Sequence, residues 1–251
     1  MNIIDLKSKV SLVTGASGGI GRVIAKSLAD AGSLVAIGYH NNEAGALTAQ
    51  VDCGQKALLA EADVSDPDQC RRAIDRIIRE FGRIDILVNN AAIGPVDSFD
   101  MPFEAWMSQW NATLQANVMG TVNMTYLCVP HMKEHGGGKI INISSRSAFR
   151  GETEYMAYAV SKAAMVNFTR CTARTLAKDN ILAYAVAPGF IDAGMGLEGT
   201  AKNGDEIRSQ IPSGKIGTPQ DVANVVLFLA SDLSDYMTGS TIDVNGGSYL
   251  H

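Results

Sequence analysis

The chain lacks any apolar run approaching the about 18 residues that a membrane span requires. Its opening, MNIIDLKSK, has only the short apolar pair Ile3-Ile4 before Asp5, so neither a spanning helix nor a secretory leader is expected. A basic excess is also missing. With 21 Lys and Arg against 26 Asp and Glu, the formal charge is −5, which argues against nucleic acid or an anionic membrane as a partner. Cysteine is scarce: Cys53, Cys70, Cys128 and Cys171 stand far apart with no C-x-x-C pair. That excludes a disulfide frame or a zinc cluster and suits scattered buried thiols in a reducing cytoplasm. Linkers, low-complexity tracts and internal repeats are absent as well. What is present is 46% hydrophobic residues and 25 glycines in 251 positions, the composition of one well-buried globular domain covering residues 1–251.

Short β-rich runs alternate with segments of helical period. Val10 to Thr14 reads as a strand, after which Ile20, Val23, Ile24 and Leu28 recur at helical spacing until Gly32. Further strands are expected at Leu34 to Ile37, Ala57 to Ala60, Ile84 to Val88, Lys139 to Ile143, Leu182 to Val186 and Thr241 to Val244. Between them come helices near Glu43 to Val51, from Asp66-Pro67 to Phe81, over about Glu104 to Met132, around Glu154 to Lys178, and over Pro219 to Leu229. The strands are too continuously apolar to have a wet face. The pattern therefore predicts an α/β fold of the Rossmann type, a doubly wound parallel sheet of about seven strands with helices on both sides.

Two local patterns carry chemistry. The first strand-to-helix turn reads TGASGGIG, Thr14 to Gly21, where Gly15, Gly19 and Gly21 allow a sharp turn and close approach of a pyrophosphate to the N-terminus of the helix. Such a turn is equally at home as a tight connection needing positive φ. The second pattern is YMAYAVSK, in which Tyr158 and Lys162 stand one above the other at i,i+4 if the segment is helical. A lone pair of this kind is usually two side chains on one helix face.

Taken with NNAA at Asn89 to Ala92, Asn117, Ser145 and the closing TGSTIDVNGG, these motifs occur in an order that resembles the short-chain dehydrogenase/reductase family over nearly the whole chain. Within it the sequence is most similar to 3-oxoacyl-acyl-carrier-protein reductase-like members. The resemblance implies a catalytic tetrad of Asn117, Ser145, Tyr158 and Lys162, and interconversion of a ketone and a secondary alcohol by hydride transfer, with no metal. Tyr158 would give the proton to the developing alkoxide. Lys162 would favour its phenolate and bond the nicotinamide ribose, Ser145 would orient the substrate oxygen, and Asn117 would hold a water relaying protons to Lys162. The dinucleotide would lie along Gly15, Ser17, Gly18, Gly19, Ile20 and Gly21, then Tyr39, His40 and Asn41, Asp63 and Val64 at the adenine, Asn90, Ala91 and Ala92, and Pro188, Gly189 and Ile191.

An acidic residue after the second strand commonly bonds the 2′-hydroxyl of NAD, yet Gly38 to Asn42 contains no carboxylate. His40 stands there instead, so NADP(H) is favoured over NAD(H), although Gly18 occupies a place where NADP-dependent members often carry a basic residue. Ala92 replaces the commoner glycine of NNAG, and Ala193 takes the place of a family threonine. A substrate lid is expected over about residues 189–214, where glycines recur at 189, 194, 196, 199 and 204. Arg146, Phe149, Arg150, Glu152 and Met156 are candidates for the pocket wall, and the two arginines could equally be solvated loop charges.

The substrate stays open between an acyl thioester, a sugar and another small carbonyl or alcohol. The family's habit of forming tetramers implies a homotetramer or homodimer, with Met124, Leu127, Met165 and Phe168 either at an interface or in the core. Two other readings compete with this one. His131-Met-Lys-Glu-His135 matches the H-x-x-E-H zinc-protease pattern, but runs from Pro130 into three glycines and has no evident third ligand. A cofactor-binding regulator without turnover would have no need of Tyr158.

Overall fold

A computed structural model describes residues 4–54, 56–194 and 204–250. In chain order the elements are β1 (Val10–Val13), α1 (Gly19–Asp30), β2 (Leu34–Tyr39), α2 (Glu43–Cys53), β3 (Leu58–Glu61), α3 (Pro67–Phe81), β4 (Ile86–Asn89) and α4 (Phe103–Leu114). A π-turn at Gln115–Met119 leads into α5 (Gly120–Glu134), followed by β5 (Gly138–Ile143), α6 (Ser147–Arg150), α7 (Met156–Leu176) and β6 (Ile181–Pro188). The helix α8 over residues 204–209 precedes α9 (Pro219–Ala230) and β7 (Thr241–Val244). The seven strands form one sheet in the order β3-β2-β1-β4-β5-β6-β7, and every neighbouring pair is parallel.

Alternation along each strand fills both faces. Val13, Ile37, Val88, Ile141 and Val186 point into the layer beneath α1, α2 and α9, where Ile24, Leu28, Val222 and Leu229 meet them. Leu12, Ala36, Leu87, Ile140 and Ala183 point the other way, onto Ile74 and Ile77 of α3 and Met124, Cys128 and Met132 of α5. The period of two with both faces apolar is what a doubly covered parallel sheet requires.

Sequence signals set several helix ends. Asp66 caps α3 by accepting from the backbone N–H groups of Asp68 (2.9 Å) and Gln69 (3.1 Å). Pro67 opens that helix and Gly82, at φ 80°, closes it. Thr218 and Asp221 form a reciprocal capping box on α9. By contrast α1 begins at Gly19 with no side-chain cap and no acidic residue in its first turn, which leaves its N–H groups free for an anion.

The expected topology holds, and the differences lie at boundaries. β2 continues to Tyr39 because it pairs with Glu61, and β6 continues to Pro188 because it pairs with Val244. The single long helix expected from Glu104 to Met132 carries the π-turn in its middle, at Asn117. Met124 (2% exposed) and Met165 (1%) belong to the interior and not to a surface. Cys171, expected among buried thiols, is exposed. Among the described residues no helix is long and apolar enough to cross a membrane.

Candidate active site

The strand order reverses between β1 and β4, and there the C-terminal ends of the strands open into a cleft, the place where such sheets bind ligands. The two strand ends are tied together. Thr14 Oγ1 accepts the backbone N–H groups of Asn90 and Ala91, each at 3.0 Å. The Asn90 side-chain amide donates back to the carbonyls of Thr14 (2.9 Å) and Gly15 (3.1 Å). This close approach explains the glycines. A Cβ on Gly21 would lie 2.4 Å from the Gly15 carbonyl oxygen and 2.5 Å from Asn90 Nδ2, and Gly15 itself adopts φ 63°. Ala92 is not among the residues of positive φ, so its methyl group requires no backbone change.

The cleft has two lobes that share Gly15, Ser17, Asn42, Ala91 and Ala92. One, of about 270 Å³, is lined by Tyr39, His40, Asn41, Asp63 and Val64. The other, of about 410 Å³, is lined by Gly18, Gly19, Ile20 and Gly21, Asn90, Ser145, Tyr158, Lys162, Pro188, Gly189 and Ile191. An uncapped helix N-terminus at the waist, a glycine cradle that a Cβ would fill, and a lobe on either side fit a dinucleotide with its pyrophosphate at the turn. At the first lobe His40 Nε2 lies 4.0 Å from Asp63 Oδ2. The carboxylate missing from the loop after β2 is thus supplied nearby from the segment after β3.

Ser145, just past β5, and Tyr158, in the first turn of α7, line the same lobe. Lys162 is 2% exposed, and its Nζ donates to the Ile143 carbonyl at 2.7 Å and stands 5.4 Å from the Tyr158 ring centroid. The helical spacing therefore puts both side chains on one face. Their charges differ from expectation. Burial pushes the Tyr158 hydroxyl up to about 12, opposed by the nearby Ser145 side chain, and burial brings the Lys162 ammonium down to about 7. The expected lowering of Tyr158 is not produced by the chain's own groups, because desolvation is the largest influence on its hydroxyl.

Asn117 is fully buried and stands behind the cleft wall. Its Oδ1 accepts the Ile93 N–H at 2.8 Å, and its Nδ2 donates to the Ile93 carbonyl (2.8 Å) and to Ser161 Oγ (2.9 Å). Ser161 Oγ in turn donates to the Tyr158 carbonyl at 2.6 Å. The side chain is thus spent on fixing the loop after β4 against α7. Of the pocket candidates, Arg146 is 4% exposed and lies 3.9 Å over the Phe190 ring, so it is no solvated loop charge. The part of the expected lid over residues 195–203 lies outside the described residues. Its flanks are anchored, with Gly189 N–H donating to Val244 O (2.9 Å) and Asp192 N–H to Gly217 O (2.9 Å). Among the described residues no three His, Cys, Asp or Glu side chains group as metal ligands, and the His135 ring is taken up by the His131 carbonyl at 2.8 Å.

A family model described as Enoyl-(Acyl carrier protein) reductase matches residues 15–249. The 3-oxoacyl-[acyl-carrier-protein] reductase FabG of Aquifex aeolicus is 39% identical over 98% of this chain and 99% of its own length. The chain belongs to the short-chain dehydrogenase/reductase family. It is an oxidoreductase acting on CH–OH groups with a nicotinamide dinucleotide. Nodulation protein G of Azospirillum brasilense is similar at 36% identity over 96% of this chain and 98% of its own. A FabG of Staphylococcus aureus is similar at 37% over 97% and 99%.

One residue of this dehydrogenase/reductase site had no sequence signal. Asp97 is fully buried, and its two carboxylate oxygens accept the N–H groups of Met156 (2.7 Å) and Ala157 (2.8 Å), capping the helix that carries Tyr158. Asp97→Ala is expected to cost about 2 kcal/mol or more, since two buried donors lose a charged acceptor. A lowered urea midpoint at unchanged slope, with Asp97→Asn between the two, is the expected readout; an unchanged midpoint would show the cap to be dispensable.

Proposed function

We propose that this enzyme reduces the 3-oxo group of an acyl thioester to the 3-hydroxy product, with NADPH as the preferred reductant. The observation that carries this reading is the meeting of Ser145, Tyr158 and Lys162 in one lobe of a dinucleotide-shaped cleft, in a chain whose full-length relatives bear the 3-oxoacyl reductase name. A bound dinucleotide would supply the hydride and, once oxidised, a positive charge. Ser145 and Tyr158 receive the substrate carbonyl oxygen between their hydroxyls, which polarises the bond. As the carbon accepts the hydride, Tyr158 passes its proton to the oxygen. Lys162, in its charged form, offsets the phenolate left behind. Asn117 keeps Tyr158 in register through Ser161.

The choice of NADPH rests on the absence of a carboxylate at residues 38–42 and on His40 in the first lobe. Asp63, 4.0 Å from His40, narrows the margin. Gly18 offers a way to widen it, because its φ of −175° suits any residue and a Cβ there would meet nothing within 4 Å. Gly18→Arg is expected to tighten NADPH binding about tenfold, the equivalent of one charge-assisted phosphate contact, and to leave NADH unchanged. Equal gains for both cofactors in a fluorescence titration would contradict that placement.

The same reading places the enzyme in the cytoplasm as a homotetramer or homodimer with no nucleic acid partner. Exposed Tyr126 on α5 and Val160 on α7 supply apolar surface for such pairing. The test is titration with NADPH and NADH, then a panel holding acetoacetyl and crotonyl thioesters, simple ketones and sugar alcohols. Oxidation of NADPH by the acetoacetyl thioester supports the proposal. Turnover of the crotonyl thioester alone would favour enoyl reduction, and a sugar alcohol reducing NAD a small-alcohol dehydrogenase. Binding without any turnover would favour a non-catalytic regulator.

A further inference from the structure

Buried side chains stitch β5 to α7 at two levels. Away from the cleft, Asn142 Nδ2 donates to Thr169 Oγ1 at 2.8 Å, and both residues are fully buried. At the cleft the stitch joins Ser144 to Lys162. The Ser144 hydroxyl is buried and donates to the Lys162 carbonyl at 2.9 Å. Its backbone N–H donates to Val186 O at 2.7 Å, so Ser144 is itself fixed from β6. Lys162 lies inside α7, where its carbonyl belongs to the helical ladder, and the hydroxyl uses that oxygen's second lone pair. The helix therefore does not need this bond for its own backbone.

The same lysine is held at its other end. Its Nζ donates to the carbonyl of Ile143, the residue next to Ser144, at 2.7 Å, and faces Met165 Sδ at 3.6 Å. Backbone and ammonium of one residue are thus both tied to two consecutive residues at the end of β5. A charged lysine carries three N–H donors. With one on Ile143 and one facing Met165, a third is left, and Lys162 lines the lobe together with Ile143 and Ser144. A bond at Nζ alone would leave the flexible four-carbon stem free to swing about it, whereas a second bond at the carbonyl removes that freedom.

We propose that Ser144 is a positioning residue of this site: its hydroxyl fixes the backbone of Lys162 against the end of β5, so that the ammonium held by Ile143 keeps its remaining N–H on the lobe. The inference rests on the reading of Lys162 as the group that offsets the Tyr158 phenolate and meets the cofactor. Ser144 gives and takes no proton in the reaction and acts through Lys162. When its hydroxyl is removed, the bond between Asn142 and Thr169 still holds α7 on the sheet, and only the end of the contact beside the lobe is released.

The experiment places Ser144→Ala in the full-length wild type and in Lys162→Met, with Ser144→Thr as the variant that keeps the hydroxyl. NADPH affinity is read by nicotinamide fluorescence, kcat and KM with the acetoacetyl thioester, and stability by the urea midpoint. In the wild-type background Ser144→Ala is expected to lower kcat about tenfold and weaken NADPH about threefold at an unchanged thioester KM, within the factor of about 2–10 that one net hydrogen bond is worth. Ser144→Thr should retain most of both. In Lys162→Met the carbonyl at position 162 still accepts from Ser144, so Ser144→Ala should lower the urea midpoint as much as it does in wild type, yet leave NADPH affinity where it was. A lowered midpoint with kcat and NADPH affinity unchanged would make the bond structural only and overturn the inference. Equal weakening of NADPH in both backgrounds would overturn it too, because Ser144 would then act without the lysine. Wild-type turnover and NADPH affinity in Lys162→Met alone would instead overturn the reading of Lys162, so the two failures are distinguishable.

Discussion

Tyr158→Phe is expected to lower kcat/KM for carbonyl reduction by about 10²–10⁴-fold, the range that a positioned general acid contributes, while cofactor affinity stays close to wild type. The phenylalanine ring keeps the packing beside Lys162, whose Nζ stands 5.4 Å from the ring centroid, and removes only the hydroxyl. The control lies three residues away. Tyr155 precedes the first turn of α7, is 39% exposed and makes no side-chain cap, so Tyr155→Phe should be mild. Nicotinamide fluorescence gives the affinity and steady-state rates give the loss. Equal losses in the two variants would sink the assignment of Tyr158, because both would then reflect damage to the start of α7.

The parallel sheet was legible because its strands are apolar on both faces and its helices announce themselves. Asp66-Pro67 and Thr218-Pro219 each carry a cap and a first-turn proline, and both helices begin there. Strand ends were less legible, since Tyr39 and Pro188 are held by partners on other strands, a relation that local pattern does not encode. The π-turn left no mark either. The helical period runs on through Asn117, and the turn is coupled to the bonds this residue makes with Ile93, 24 positions earlier. In the site, the shared face of Tyr158 and Lys162 followed from spacing alone, whereas their meeting with Ser145 rested on the order of the family's motifs. Asp97 could not be found that way, for the nearest partner of its side chain is 59 positions on and its residue type is common in loops. Nor could the charge state of Lys162, because desolvation is the sum of everything packed around a group and no short stretch of sequence contains it.

That charge state makes Lys162→Met the most informative change to the stability of the fold. The ammonium is brought down from 10.5 to about 7 by burial, and its one backbone acceptor is the Ile143 carbonyl at 2.7 Å. A depression of that size corresponds to roughly 4–5 kcal/mol against the charged form. Methionine removes this cost at similar volume but leaves the Ile143 carbonyl without its donor, which returns about 1–3 kcal/mol. The first effect is the larger, so the variant should be more stable than wild type by about 1–3 kcal/mol at pH 7, as replacements of buried charge by apolar side chains often are. The sign of the pH dependence follows from proton counting. Between the folded value of about 7 and the unfolded value near 10.5 the unfolded chain binds the extra proton, so wild-type stability rises with pH across that window. Lys162→Met lacks this slope, and its advantage should shrink between urea titrations at pH about 7 and pH about 9. Turnover should be lost throughout, because the phenolate has no neighbouring ammonium to offset it. A variant less stable than wild type at neutral pH would mean that the lysine is held by more than its bond to Ile143, and the conflict between stability and catalysis would then lie elsewhere in the site.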